Sequence, residues 1–131
     1  MEDSVFTKII KGEIPAHRVY EDEKTIAIMD ISPIQPGHVL VIPKTQVEDF
    51  YNLSDEDYTA LFKTVKKVAT KLKQVFPGKK KIAMQIEGLD VPHVHVTLFP
   101  IDNADQFRAP NSASEPDHQA LGEMAAKLKI S

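Results

Sequence analysis

The run Pro92-His93-Val94-His95-Val96-Thr97-Leu98-Phe99-Pro100 places two of the chain's five histidines two residues apart among β-branched and aromatic neighbours. A strand turns alternate residues to opposite faces. The run therefore predicts one face with His93, His95, Thr97 and Phe99, and another with Val94, Val96 and Leu98. The apolar face can anchor the strand in a core, while the other holds its imidazoles about 7 Å apart. Imidazole titrates near neutral pH and serves as base, acid, nucleophile or metal ligand. Two histidines at i, i+2 with no third ligand close in sequence are a weak metal signal, so nucleophilic or acid–base chemistry is the leading reading.

Other elements must position this strand. Residues 5–11 have helical spacing (Phe6, Ile9, Ile10) and stop at Gly12, predicting a short N-terminal helix. Strands are expected over 17–21 and 25–31, then a loop set by Pro33, Pro36 and Gly37, then an apolar central strand over 38–43. Ser54 is the expected N-cap of the longest helix, with Asp55, Glu56 and Asp57 where the helix dipole favours acids. Tyr58, Leu61, Phe62, Val65, Val68, Ala69, Leu72 and Val75 make its apolar stripe, and Pro77-Gly78 ends it. A strand over 81–87, a turn at Gly88-Leu89-Asp90 and the histidine strand over 91–100 follow. Residues 103–116 read as a loop, and 115–129 as a C-terminal helix. The expected fold is α+β: an antiparallel meander sheet of about five strands with one long and one or two short helices.

Composition narrows the function. The 131 residues suit a single domain over 1–131, with a core of about 4–101 and a tail and helix over 102–131. A formal charge of −3 carries no basic footprint for nucleic acid, and Lys79-Lys80-Lys81 reads as a solvated corner. Without cysteine there are no disulfides or thiolate metal sites, which suits a reducing compartment. Met1-Glu2-Asp3-Ser4 lacks an apolar signal core and no apolar run approaches the ~20 residues of a membrane helix. The expectation is a cytoplasmic protein without a membrane partner. His17 and His118 lie in polar surroundings and read as surface residues.

With these segments in order, the chain resembles the histidine triad (HIT) family. His93-Val94-His95-Val96-Thr97-Leu98-Phe99 looks like its motif, His-φ-His-φ-His-φ-φ with φ apolar. Residues 6–15, Val19-Tyr20-Glu21-Asp22, Met29-Asp30-Ile31-Ser32-Pro33 and Gly37-His38-Val39-Leu40-Val41-Ile42-Pro43-Lys44 are similar to family segments in the same order. The resemblance implies a usually homodimeric enzyme that hydrolyses or transfers a nucleoside monophosphate from phosphoramidates, dinucleoside polyphosphates or nucleotide conjugates. No cofactor is implied. His95 takes the position of the nucleophile that forms a covalent nucleotidyl-histidine. His93 would orient the His95 ring, and His38 would hold the triad by hydrogen bonding. Phe6, Ile9, Ile28, Ile31 and Leu40 would sandwich the base, Ile28 standing where an aromatic is common, and Asp30 would accept the ribose hydroxyls. Read singly, the apolar residues are better explained as core packing; Asp30 differs, because an acid in an apolar strand needs a partner.

Three departures bear on activity. Thr97 stands at the third triad position, and a threonine cannot act as a general acid near pH 7. The segment 85–92 is shorter than the Gly-Gln-Ser/Thr phosphate loop of many members. Ser4, Thr7 and Gln46 stand where many bacterial members have zinc ligands, so no structural zinc is expected. The alternative to an enzyme is a nucleotide-binding module with weak or lost catalysis because of Thr97.

Overall fold

The computed structural model describes residues 2–131. Among the described residues four α-helices and five strands follow in the order α1 (Val5–Ile10), β1 (Arg18–Glu21), β2 (Thr25–Met29), β3 (Val39–Pro43), α2 (Asp55–Val75), β4 (Lys81–Gln85), β5 (Val96–Ile101), α3 (Ala104–Arg108) and α4 (His118–Leu128). The strands form one antiparallel sheet in the order β1-β2-β3-β5-β4. The first three form a meander; β4 then runs along the far edge, and β5 returns between β3 and β4.

Both faces of the sheet are covered, which explains why every residue of β2 and β3 is buried. On one face Ala27, Met29, Val39, Val41, Val96 and Leu98 meet Leu61, Val65, Val68 and Leu72 of α2. The amphipathic stripe of α2 dictates this contact, and Ser54 caps the helix by accepting from the Asp57 amide at 3.1 Å. Leu121, Ala125 and Leu128 of α4 join the same cluster, so the apolar core extends beyond residue 101. On the opposite face a smaller cluster joins Phe6 and Ile9 of α1 to Ile26, Ile28, Leu40 and Ile42.

Several boundaries differ from the sequence reading. The second strand ends at Met29 because the Asp30 carboxylate accepts the Ser32 amide at 2.7 Å and turns the chain. The histidine strand begins only at Val96. The preceding stretch bonds locally and to a loop: the His93 amide donates to the Val91 carbonyl and the Val94 amide to the Val47 carbonyl, both at 2.8 Å. His93 and His95 thus precede the ladder, although Val94, Val96 and Leu98 do share the α2 face. The expected loop over 103–116 contains α3, a third short helix, started by the Asn103 side chain accepting from the Gln106 amide at 3.0 Å. Phe107 of α3 stacks on Phe99, with centroids 6.1 Å apart and ring planes 17° apart. His17 and His118 form an exposed pair, as expected of surface residues, with their Nε2 and Nδ1 atoms 3.0 Å apart. Among the described residues, no helix is long and apolar enough to cross a membrane.

Candidate active site

The ends of β2, β3 and β5 meet on the α1 side of the sheet. Antiparallel pairing of Met29 with Val39 sets Asp30 beside His38, whose carbonyl accepts the Asp30 amide at 3.0 Å. Pairing of Leu40 with Thr97 brings β5 alongside. Gly37, at φ 88°, makes the turn into β3; a Cβ there would lie 2.8 Å from Phe76 Cε2, so only glycine allows this approach. Together these elements surround a cavity of about 940 Å³. Phe6, Ile9, Ile28, Asp30, Ile31, His38, Leu40, His95 and Thr97 all line it. His93 is fully buried behind it.

Main-chain bonds fix the proton positions of three imidazoles. His95 Nδ1 lies 2.8 Å from the His93 carbonyl. A carbonyl only accepts, so His95 carries its proton on Nδ1, and neutral His95 has a bare Nε2. The edge-on ring of Phe6, 4.9 Å away between centroids, steadies the other side. His93 donates from Nε2 to the Pro43 carbonyl at 2.8 Å, leaving Nδ1 as an acceptor. Orientation of His95 by residue 93 therefore runs through its main-chain carbonyl and not its imidazole. His38 accepts the Ile34 amide on Nδ1 at 2.9 Å. Its Nε2 has no hydrogen-bond partner among the described residues; Asp30 Oδ2 is 3.4 Å away. His38 thus makes no hydrogen bond to His93 or His95, contrary to the expectation from resemblance. Burial pushes the His38 imidazole below its ordinary pKa, against the pull of Asp30 and with help from His95. Burial lowers His93 too, the Pro43 carbonyl opposing it and His95 adding to it.

Ser4, Thr7 and Gln46 converge on His93. The Ser4 hydroxyl donates to His93 Nδ1 at 2.6 Å and accepts the Thr7 amide at 3.0 Å as the N-cap of α1. The Thr7 hydroxyl donates to Gln46 Oε1 at 2.6 Å, which also accepts the Ser4 amide at 2.9 Å. Two hydroxyls, a carboxamide and an imidazole already bonded to one another do not suit zinc, which wants thiolates or free imidazoles. The cluster instead ties α1 to the histidine segment with neutral hydrogen bonds. Ser4→Ala removes a cap and strands a buried acceptor, so it should destabilise the fold by about 2–4 kcal/mol in urea unfolding, with Ser4→Thr recovering most of the loss. A loss under about 0.5 kcal/mol would show the cluster contributes little.

Arg108, Asn111, Glu87 and Asp90 also line the cavity. Sequence reasoning did not select them. The one available signal was an arginine and an amide inside a stretch read as loop, where binding residues concentrate. Asn111 secures that stretch by donating from Nδ2 to the Ser32 carbonyl at 2.7 Å.

The HIT domain pattern matches residues 11–104. The adenosine 5'-monophosphoramidase HNT1 of Candida albicans is 35% identical over 138 residues, covering 95% of this chain and 88% of that protein. The asymmetrical bis(5'-nucleosyl)-tetraphosphatase of Schizosaccharomyces pombe is 38% identical over 91 residues, covering 66% and 50%. The crystal structure of a HIT-like protein involved in cell-cycle regulation from Bartonella henselae superposes with a TM-score of 0.82 at 31% identity, covering 97% of this chain and 95% of that one. Pattern, relatives and fold agree, and the chain belongs to the HIT domain family.

Proposed function

We propose that the protein hydrolyses or transfers a nucleoside monophosphate through a covalent intermediate on His95. The observation that carries this reading is the imidazole whose Nδ1–H is held by the His93 carbonyl while Nε2 is left bare at the cavity wall. A neutral imidazole attacks phosphorus with no proton to remove. The Nε2 lone pair forms the bond to the α-phosphorus as the bond to the leaving group breaks. Positive charge then develops on the ring and is stabilised at Nδ1–H by the carbonyl. Water next breaks the N–P bond, releasing the nucleoside monophosphate and a proton. The base occupies the apolar wall of Phe6, Ile9, Ile28, Ile31 and Leu40, and the free lone pairs of Asp30 accept the ribose hydroxyls. Relatives named as a phosphoramidase and a dinucleoside tetraphosphatase support nucleotide hydrolysis.

The test is incubation with adenosine 5'-phosphoramidate and with diadenosine tetraphosphate, following AMP release and trapping any adduct for mass spectrometry. AMP release with an adenylyl group on His95 is the expected result. Thr97 favours one second reading, because a hydroxyl at the third motif position cannot protonate a leaving group. AMP binding without turnover or adduct on either substrate would make the protein a nucleotide-binding module.

The same proposal takes the chain as a cytoplasmic homodimer. β4 is an edge strand with Met84 48% exposed, and Tyr58 of α2 is 43% exposed, both features that a partner would cover. Sedimentation should give about twice the 14.7 kDa chain mass, and a monomer at micromolar concentration would overturn the dimer.

A further inference from the structure

The cavity has an uneven charge for a nucleotide site. Its lining holds three carboxylates, Asp30, Glu87 and Asp90, and a single fixed cation, Arg108. Among the described residues Arg108 makes no ion pair, whereas Arg18 is paired with Glu21 at 2.6 Å. Its backbone is held on both sides. Before it, Gln106 accepts the Asp102 amide at 2.6 Å and Phe107 stacks on Phe99. After it, the Ser112 amide donates to the Pro33 carbonyl at 3.2 Å. A guanidinium presented at a cavity by an anchored segment, with none of the cavity's carboxylates paired to it, suits a phosphate group.

We propose that Arg108 forms the leaving-group subsite, receiving the anionic phosphate chain beyond the α-phosphate and favouring anhydride substrates over phosphoramidates. The proposal rests on the nucleotide reading above. An amine leaving group needs a proton as its bond to phosphorus breaks. Thr97 cannot supply it, and a guanidinium stays protonated in proteins. A phosphate leaving group needs none. When His95 Nε2 bonds to the α-phosphorus, the bond to the bridging oxygen breaks and its electron pair stays on that oxygen. The oxygen becomes a terminal oxygen of the departing nucleoside polyphosphate, with its charge balanced by Arg108. Water then cleaves the N–P bond, and its extra proton goes to solvent.

The experiment measures kcat/KM for diadenosine tetraphosphate and for adenosine 5'-phosphoramidate with the full chain, Arg108→Ala and Arg108→Lys. A charge-assisted contact of ordinary strength predicts that Arg108→Ala lowers the tetraphosphate-to-phosphoramidate ratio about 10–100-fold. Arg108→Lys should recover part of it by restoring the charge. An unchanged ratio in Arg108→Ala, with both substrates still cleaved, overturns the subsite and leaves the nucleotide reading standing. If the unsubstituted protein cleaves neither substrate, that reading fails and the subsite falls with it.

Discussion

His95→Ala should lower AMP release from either adenosine substrate by about 10⁴-fold or more, while AMP affinity stays within a few-fold. Removing the attacking atom removes the covalent route. Base recognition is assigned to the wall of Phe6, Ile9, Ile28, Ile31 and Leu40, which this substitution leaves in place. His95 is half-buried and its one hydrogen bond goes to the His93 carbonyl, so truncation strands no side-chain partner. Calorimetry with AMP and single-turnover assays read the two halves separately. The variant should also show no adenylyl adduct. Retention of more than about 1% of the turnover would remove His95 as the nucleophile, because substitution of a covalent nucleophile ordinarily costs far more. Loss of AMP binding along with turnover would point instead to His95 as part of the binding wall.

How much of this site could be read beforehand depends on the kind of interaction. The apolar wall was implied by the family resemblance: helical spacing marks Phe6 and Ile9, but Ile28 and Leu40 sit in continuous apolar runs that single out no face, and all four are buried at the cavity. The long helix was legible from its cap and stripe. The partner that orients His95 was not, because a main-chain carbonyl has no residue type to betray it. The grouping of Ser4, Thr7 and Gln46 was implied by the resemblance alone, and the Ser4–His93 bond, across 89 residues of chain, leaves no periodic trace. The same is true of His17 and His118, which meet across 101 residues. The helix α3 was hidden because its five residues are too few to show a period and Phe107 docks on Phe99 from outside the sheet. With that helix went the placement of Arg108.

Acid should weaken the fold well before the carboxylates titrate. His38 and His93 are 1% and 0% exposed, and burial holds both imidazoles below their ordinary pKa. The unfolded chain takes up their protons as the pH falls through about 6.5, whereas the folded protein does so only at lower pH. Over that window the unfolded state binds more protons, so the stabilisation is fully present above about 6.5 and is lost as the pH falls towards the folded pKa values. Each histidine contributes a slope of at most about 1.4 kcal/mol per pH unit within that window. Glu21 and Asp102 are held below their ordinary pKa chiefly by bonds from Lys44 and Lys79. Burial alone would raise Asp22, but the Tyr20 hydroxyl, the Lys24 and Thr25 amides and the Thr25 hydroxyl outweigh it. These acids therefore lose their contribution only in a second, more acidic stage. Urea unfolding at a series of pH values should show the first loss, and imidazole carbon resonances should show His38 and His93 taking up protons at lower pH in the folded protein than in the unfolded chain. A stability that stays flat from pH 7.5 to 5.5 would mean that both rings protonate without cost. The expected loss falls on the two rings behind and beside His95. Acid should thus loosen the reacting centre and the fold as one event.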